Sequence, residues 1–549
     1  MSEGNHYSIG FDFGTESVRV IVANIANGTV VGHADEKYSH GVIDRELPNG
    51  PKLPSDYALQ HPQDWLMNLA QACDSSMKSG KCKAEEIVGI GVAFTSCTML
   101  PTMADGTPLC MSPIFCDVPQ AWPKLWKHHG AKRQTDRINE VARHRREDWL
   151  SRYGGTVGLE WFFPKILETL EESPQVYRAA EVWLEAGDWL VWQLTDGPWP
   201  LCQCRNLVRS TCQAGYKGCW SKRDGFPSRN FFSAVHPQLA DVVAEKMPGR
   251  IMAPGQRAGV LSAKASELLN LRPGIPVSTA IIDAHAGLPG SGVYGNDTLV
   301  MVIGTSSCHM LNSAHERRVP GIAGVVGDGI LPGSFGYETG QASVGDALAW
   351  LVRALGSSHQ RMNEAAAALR PGCRGVLAVD WLNGCRTPLM DGWLSGAFVG
   401  ISLTTQPEQM YRALMEATAF GVRWIVESLR ENGLAVNNFI AGGGLPVKSP
   451  LMMQIYADVL KARITLPESD QSVALGAAIL GCIAAGAKLT GYKSIADAIR
   501  AMARQRLDVA YEPDVANAQQ YDNLYALYRK MTDANGVIAG VMHSLRSFT

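Results

Sequence analysis

Two short segments that lie far apart in the chain share one arrangement of glycine and hydroxyl residues. Asp12-Phe-Gly-Thr-Glu-Ser17 and Gly304-Thr-Ser-Ser307 each follow one apolar run and precede another. A glycine lets the backbone come close to a ligand, and backbone N–H groups with nearby hydroxyls donate hydrogen bonds to an anion. Each segment is therefore predicted to be the tip of a β-hairpin that binds phosphate. Two such tips facing each other would hold a polyphosphate within a duplicated fold.

The first tip also carries charge. Asp12 ends an apolar strand, where an ionised carboxylate needs a cation, and a magnesium ion that arrives with a nucleotide fits because it prefers oxygen ligands. A plain hairpin with a solvated aspartate is the alternative, and the second tip favours phosphate. The predicted phosphate-binding residues are Asp12, Gly14, Thr15, Glu16, Ser17, Arg19, Gly304, Thr305 and Ser306, with Asp12 expected to hold magnesium through water.

Three consecutive glycines, Gly442, Gly443 and Gly444, follow a predicted strand and precede a predicted helix. The base and ribose of a nucleotide could lie against such a bare backbone. The segment lacks the G-x-G-x-x-G pattern of dinucleotide-binding folds, since position 447 is Val, and the chain has no P-loop motif. A tight strand–helix junction is the structural alternative.

Asp283 stands where a buried strand gives way to a helix of small residues. An aspartate there is either a helix N-cap or a catalytic base, and one residue can serve as both. His285, two residues later, could form a metal pair with it, but the sequence shows no third ligand.

Polar residues in glycine- and aromatic-rich surroundings suggest a ligand pocket. Lys217 lies in Ala-Gly-Tyr-Lys, and Glu338 and Gln341 lie in Gly-Tyr-Glu-Thr-Gly-Gln, with Asp346 nearby. Surface charges or helix caps are the simpler interpretation of each, whereas the neighbouring aromatics favour a sugar pocket. The group Cys202, Cys204, Cys212 and Cys219 lacks a Cys-x-x-Cys pair, so incidental thiols are favoured over a zinc site.

Composition narrows the class of protein. A chain of 549 residues with a net charge of −2 is expected to form two to four domains and has no basic patch for nucleic acid or an anionic membrane. The N-terminus lacks the apolar segment of a signal peptide, and the uncharged run 471–487 is shorter than a membrane span, so a packed core helix is expected. Thirteen cysteines without export signals indicate reduced thiols in a cytoplasm.

The elements that must position these residues follow from local patterns. Strands are predicted over 7–13, 18–25, 29–33, 88–94, 277–282 and 438–441, and helices from Pro62, over 407–432 and over 449–461. The polar, basic stretch 122–149 is predicted to be a helical, solvent-facing cap. Gly and Pro residues over 272–276 suggest a boundary between an N-terminal domain, 1–273, and a C-terminal domain, 274–549.

Taken together, these motifs resemble the FGGY carbohydrate kinases and, within that family, the ribulokinases. The closer resemblance rests on segments spread over residues 7 to about 485: His40-Gly-Val-Ile-Asp44, Tyr57-Ala-Leu-Gln-His-Pro62, Phe94-Thr-Ser-Cys-Thr98, Lys124-Leu-Trp-Lys-His-His129, Arg152-Tyr-Gly-Gly155, Ala214-Gly-Tyr-Lys217 and Gly336-Tyr-Glu-Thr-Gly-Gln341.

The resemblance implies an α/β fold of two actin-like, ribonuclease-H-like domains that flank a nucleotide and sugar cleft. It implies transfer of the γ-phosphate of ATP, with Mg²⁺, to the terminal hydroxyl of a ketopentose, most closely L-ribulose. Asp283 would be the general base, Gly442–Gly444 would border the adenosine, and Ser96, Lys217, Asp283 and Glu338 would contact the sugar.

Ala93 departs from the resemblance, because ribulokinases usually carry an acidic residue just before this Phe-Thr pair, and the segment 198–211 also looks divergent. D-Ribulose, ribitol or xylulose are therefore alternative substrates. An actin-like chaperone or filament protein and a non-catalytic sugar-binding protein are alternatives from other classes. Self-association into a homo-oligomer is left open.

Overall fold

The structure is a computed structural model that describes residues 5–48, 50–197, 207–545 and 548. Its strands, in chain order, are β1 (Tyr7–Phe13), β2 (Ser17–Asn24), β3 (Val30–Lys37), β4 (Ile87–Phe94), β5 (Met99–Thr102), β6 (Val182–Glu185), β7 (Val208–Ser210), β8 (Arg250–Met252), β9 (Arg257–Val260), β10 (Pro276–Ser278), β11 (Ile281–Ile282), β12 (Thr298–Ile303), β13 (Ser307–Ser313), β14 (Gly324–Gly327), β15 (Phe335–Gln341), β16 (Leu377–Val379), β17 (Ala397–Val399), β18 (Asn438–Gly442), β19 (Ile464–Pro467) and β20 (Gln505–Tyr511).

The helices, in the same order, are α1 (Pro62–Gly80), α2 (Lys132–His144), α3 (Phe162–Glu172), α4 (Pro174–Ala179), α5 (Ala186–Asp196), α6 (Thr211–Tyr216), α7 (Arg229–Val235), α8 (Val242–Lys246), α9 (Ala263–Leu269), α10 (Asp283–Gly290), α11 (Gly345–Ala354), α12 (His359–Ala367), α13 (Pro407–Glu431), α14 (Gly444–Lys448), α15 (Pro450–Leu460), α16 (Ser472–Ala485), α17 (Ala487–Thr490), α18 (Ile495–Met502), α19 (Val515–Met531) and α20 (Val537–Leu545).

Two seven-stranded mixed sheets organise the described residues. The first has the order β3-β2-β1-β4-β10-β9, with β11 also paired to β4, and the second has the order β14-β15-β13-β12-β18-β19-β20. In each sheet a hairpin, β1–β2 or β12–β13, continues into a parallel pair through its first strand, with β4 or β18. The two predicted hairpin tips thus occupy equivalent places, and the expected duplicated α/β fold is confirmed.

The predicted division of the chain between residues 273 and 274 does not separate these sheets. The segment 277–282 forms two short strands, β10 and β11, and both pair with β4 in the first sheet. The change from one sheet to the other therefore lies between β11 and β12. A local Gly-Pro signal marks a turn but carries no information about which sheet the next strand joins.

Helix α16 packs directly on the face of the first sheet. An added Cβ would lie 1.9 Å from Ala474 O at Gly10 and 1.7 Å from Ala477 O at Gly91. Glycine is therefore required at these positions because the helix backbone passes too close for any side chain. The predicted core helix within 471–487 is confirmed, and it shares one buried cluster with residues from both sheets, including Ile21, Val300 and Ile440.

Among the longer predicted helices, one is confirmed and one is wrong. Helix α13 runs from Pro407 to Glu431, with Gly433 in the left-handed region at φ +82°. In the basic stretch 122–149, only 132–144 forms a regular α-helix, and the side chains of Lys124 and His128 are buried against Glu168 rather than facing solvent. Paired charges can enter a core in this way, and a polar pattern alone does not reveal the partner.

Within the described residues no single helix is long and apolar enough to cross a membrane. One bent pair, Ser472–Ala485 with Ala487–Met502, meets the length and composition test only when the two parts are taken together.

Candidate active site

Three parallel strand ends bring together the residues that follow them. In the first sheet Asp12 of β1 is opposite Ala93 of β4, and Ile281 of β11 is opposite the same residue. Asp283 begins α10 directly after β11. The carboxyl ends of parallel strands share one edge of a sheet, which is where ligands bind in open α/β folds. Asp12 and Asp283 therefore come to the same edge although the sequence separates them widely.

Asp283 is partly buried, and its surroundings shift its pKa upward. Burial, followed by the negative charge of Asp12, raises the pKa of Asp283 to about 7. Among the described residues, its Oδ1 accepts a hydrogen bond only from the adjacent Ala284 N–H, at 2.7 Å, and Ile282 occupies the N-cap position. A capping side chain would bond to the N–H two or three residues onward. The arrangement favours a base over a cap.

The cation nearest to Asp12 in the structure is Arg19. Its Nη1 lies 3.0 Å from Asp12 Oδ2, and its Nη2 lies 3.2 Å from Asp35 Oδ2. Burial raises the pKa of Asp12 to about 6, although Arg19 opposes this effect. Arg19 is thus already paired with carboxylates. Asp12 keeps the oxygen chemistry that magnesium requires.

The two tips differ in length by one residue. Gly14 N–H donates to Ser17 O at 2.9 Å, whereas Gly304 N–H donates to Ser306 O at 2.8 Å. Thr15 is partly engaged by the protein, since its Oγ1 accepts from Trp126 Nε1 at 3.0 Å, while Glu16 is exposed. Of the atoms in the described residues, an added Cβ at Gly304 would meet only Ser306 O, at 3.9 Å, so these residues leave the space beside Gly304 open. Thr305 and Ser306 have no side-chain hydrogen bond to another described residue.

A cavity of about 370 Å³ joins the first hairpin to the predicted adenosine segment. It is lined by Arg19 and by Gly442, Gly443 and Gly444, together with residues of β19 and α16. Its size is typical of a small-molecule site. Packing requires glycine at position 443, because its φ is +91° and an added Cβ would lie 2.5 Å from Ile303 O. At Gly444, by contrast, no atom of the described residues lies within 4 Å of an added Cβ. The junction is tight, and its last glycine also leaves room for a ligand.

The predicted sugar residues Lys217 and Glu338 form a buried ion pair. Lys217 Nζ donates to Glu338 Oε1 at 2.8 Å, and Glu338 Oε2 lies 3.3 Å from Nε2 of His285. Burial would raise the pKa of Glu338, but Lys217 and His285 outweigh it and hold that pKa well below its usual range. Since Glu338 also contributes to the raised pKa of Asp283, the pair lies near Asp283.

Ser96 lies in the loop that follows β4, with its buried Oγ unpaired among the described residues. The loop is fixed on both sides of Ser96: Thr95 N–H donates to Phe13 O at 3.1 Å, and the fully buried Lys165 Nζ donates to Cys97 O at 2.8 Å. Cys97 has a φ of +47°. An oriented hydroxyl without a protein partner is available to a ligand.

Polar residues that the sequence did not single out also border this region. Glu160 acts electrostatically on Lys217, and Arg386 acts on Glu338. The amide of Gln213 is buried and has no hydrogen-bond partner among the described residues. None of them lies in a motif with a recognisable spacing, and Arg386 belongs to an irregular segment. By contrast, Gln341 has a structural role, donating to Asp380 Oδ2 and Thr418 O, and Asp346 is exposed at the start of α11.

Ala93, the departure from the resemblance, is fully buried in the cluster formed with Ala477 and Ala478 of α16. Its effect is on the packing between sheet and helix.

The metal alternatives find little geometric support in the described part of the chain. Cys212 Sγ lies 3.2 Å from His285 Nδ1, and Cys212 and Cys219 are buried free thiols. Cys202 and Cys204 lie outside the described residues.

His40, His61 and Asp64 are the one group of possible metal ligands among the described residues whose ligand atoms come within 4.8 Å of one another. The two imidazoles are stacked at 4.3 Å and 13°, so their in-plane lone pairs do not converge.

Comparison with known proteins extends over nearly the whole chain. Residues 7–290 match the N-terminal domain of the FGGY family of carbohydrate kinases and residues 299–485 match its C-terminal domain. The chain is 43% identical to a ribulokinase of Shouchella clausii strain KSM-K16, over 96% of this chain and 95% of that protein, and 42% identical to a ribulokinase of Geobacillus thermodenitrificans strain NG80-2, over 97% and 95%.

A solved structure shares the fold at lower identity. The crystal structure of a xyloylose kinase from Brucella ovis superimposes with a TM-score of 0.79, at 20% identity, over 98% of this chain and 100% of that one. The two matched family regions meet between residues 290 and 299, where the strands also pass from one sheet to the other. On this sequence match and this shared architecture, the chain belongs to the FGGY family of carbohydrate kinases.

Proposed function

We propose that this protein is a ribulokinase that uses ATP to phosphorylate the terminal hydroxyl of L-ribulose, giving L-ribulose 5-phosphate. The observation that carries the proposal is the position of Asp283, between the Lys217–Glu338 pair and the first hairpin. The full-length similarity to proteins named ribulokinase supports the choice of sugar.

In the proposed reaction Asp283 accepts the proton of the attacking sugar hydroxyl. The hydroxyl oxygen forms a bond to the γ-phosphorus of ATP, the bond between that phosphorus and the β–γ bridging oxygen breaks, and ADP leaves. A base works best when its pKa lies near the working pH. The pKa of about 7 that burial and Asp12 give to Asp283 meets this condition.

The hairpin tips supply the remaining requirement, which is positioning and charge neutralisation of the phosphates. The open space beside Gly304 and the free Thr305 and Ser306 side chains suit a phosphate at the second tip. The glycines Gly442–Gly444 would border the adenosine. Asp12 would hold Mg²⁺, through water, and the ion would neutralise phosphate charge.

The sugar would lie on the side of Asp283 that carries Ser96, Lys217 and Glu338. A buried carboxylate and ammonium, both ionised, can hydrogen-bond to several sugar hydroxyls at fixed geometry. The proposed partners are the sugar and ATP, and the proposed location is the cytoplasm. D-Ribulose, ribitol and xylulose remain the competing acceptors.

A panel of sugars tests the proposal. Purified protein with ATP and Mg²⁺ is incubated separately with L-ribulose, D-ribulose, ribitol and xylulose, and ADP release is measured. The proposal predicts the highest kcat/KM with L-ribulose. A higher kcat/KM with another acceptor would reassign the sugar. If none of the four acceptors led to ADP release, the assignment of the protein as a kinase for these sugars would be contradicted.

A further inference from the structure

The cationic side chains of the active-site region differ in what neutralises them. Arg19 is paired with Asp12 and Asp35, and Lys217 is paired with Glu338. Arg386 is different: in the part of the chain that the structure describes, it forms no ion pair, and its one side-chain contact of hydrogen-bond type is from Nη1 to the sulfur of Cys308, at 3.9 Å.

Arg386 lies beside the second hairpin tip. Cys308 is the second residue of β13, directly after the tip, and is opposite Gly340 of β15. Thr387, the residue after Arg386, is bonded to the same Gly340. Its N–H donates to Gly340 O at 3.2 Å, and its Oγ1 accepts from Gly340 N–H at 3.3 Å. Asp283 and Glu338 both act on the Cys308 thiol, so this point also faces the base and the sugar pair.

Among the described residues, no carboxylate forms an ion pair with the Arg386 guanidinium. Burial raises the pKa of the Cys308 thiol, which is therefore neutral at pH 7. Glu160 and Glu338 are the carboxylates that act on Arg386, but neither forms an ion pair with it, and Glu338 is already bonded to Lys217. A guanidinium stays protonated, and a partly buried charge without a partner is costly. The site is therefore suited to an anion supplied by a ligand.

We propose that Arg386 binds the phosphoryl group in transfer, as the γ-phosphate of ATP before the reaction and as the phosphate of the sugar product after it. The inference rests on the proposed kinase function. Arg386 is placed between the second tip and the sugar pair, which is where that group must pass. A guanidinium can also bind a phosphate through two parallel hydrogen bonds, a geometry that lysine does not provide.

The test compares nucleotide affinities without sugar. Calorimetry measures the Kd of ADP and of a non-hydrolysable ATP analogue, each with Mg²⁺, for the wild type, Arg386→Met and Arg386→Lys. Arg430→Met is the matched control. Arg430 lies in the last turn of α13, away from the tips, and its guanidinium donates to Val436 O. Loss of a charged hydrogen bond is expected to weaken binding of the analogue by about 10- to 100-fold in Arg386→Met, with ADP within about twofold of the wild type and an intermediate loss in Arg386→Lys.

Turnover completes the test. Removing one transition-state donor typically lowers kcat by about 10²- to 10³-fold, and Arg386→Met is expected to show this with the KM for sugar unchanged. Equal loss of ADP and analogue binding, or a raised sugar KM with analogue binding intact, would overturn the assignment. The affinity comparison contains no sugar acceptor and is therefore independent of turnover. If the wild type turned over none of the sugars, the proposed function would be refuted. The calorimetry would still decide whether Arg386 binds the γ-phosphate.

Discussion

Asp12 and Asp283 stand at the ends of two strands that flank β4, and after burial the charge of Asp12 is the largest contribution that raises the pKa of Asp283. Burial raises the pKa of Asp12 to about 6, and burial together with the charge of Asp12 raises the pKa of Asp283 to about 7. Two negative charges at one strand edge are unfavourable in the free protein. They are suited to a site that receives a cation and a proton during its reaction.

The first prediction concerns the pH dependence of kcat/KM, which reports groups in the free enzyme. The base must be deprotonated, so kcat/KM should fall as the pH drops below about 7. Asp12→Asn removes the neighbouring negative charge and should lower the pKa of Asp283. The acid limb of the residual activity should therefore move to lower pH. An acid limb that stays in place would show that the two carboxylates are not coupled.

The second prediction concerns the second hairpin tip. A Val side chain at Gly304 would enter open space, so the variant should fold, but it would occupy the place of a phosphate. ATP binding measured by calorimetry should be abolished. Gly392→Val is the matched control, because nothing lies within 4 Å of a Cβ there. Unchanged ATP affinity in folded Gly304→Val would make the second tip purely structural.

The third prediction separates the structural and substrate roles of Lys217 and Glu338. Removing one partner of a buried ion pair typically costs about 3–5 kcal/mol, so Lys217→Met should lower the melting temperature. The double variant Lys217→Met/Glu338→Gln should recover part of that loss, because no buried charge is left without its partner. Both variants should raise the sugar KM far more than the ATP KM.

Arg412→Met is the control for this comparison. Arg412 forms a buried ion pair with Glu416 at 3.0 Å within α13, and neither residue is bonded to Lys217 or Glu338. It should lose stability without a selective effect on the sugar KM. A similar selective effect in the control, or none in the Lys217 variants, would remove the pair from the sugar site.

The sequence predicts the parts of this site that depend on local pattern. The tips at Gly14 and Gly304 and helix α13 are such parts, because strand alternation, glycine and helix ends are written in consecutive residues. The sequence also predicts Asp283 at a strand–helix junction, where the structure has it. Its proximity to Asp12 depends on the register of β1, β4 and β11, which is long-range and leaves no local signal.

Other features could not be predicted for the same reason. The burial of Lys124 and His128 depends on Glu168, which is far along the chain, so their segment resembled a solvent-facing helix. The close approach of α16 to Gly10 and Gly91 needs knowledge of which helix crosses which sheet. Arg386 comes to the second tip through the contacts of Thr387 with Gly340, and nothing in its own segment indicates a ligand.

The central claim is that Asp283 is the catalytic base, and Asp283→Asn tests it most directly when kcat and melting temperature are measured on one preparation. The folded-state pKa of Asp283 is raised from 3.8 to about 7, so the charged carboxylate lowers stability progressively as the pH rises through that interval. Asn removes this charge, and the variant should melt at a higher temperature than the wild type at pH 8, with the difference vanishing near pH 4. General-base assistance is worth about 10²–10⁴ in rate, so kcat should fall by that factor while ATP and sugar still bind. Near-normal turnover, with at most a small change in melting temperature, would instead identify Asp283 as a helix-terminal residue and contradict the account.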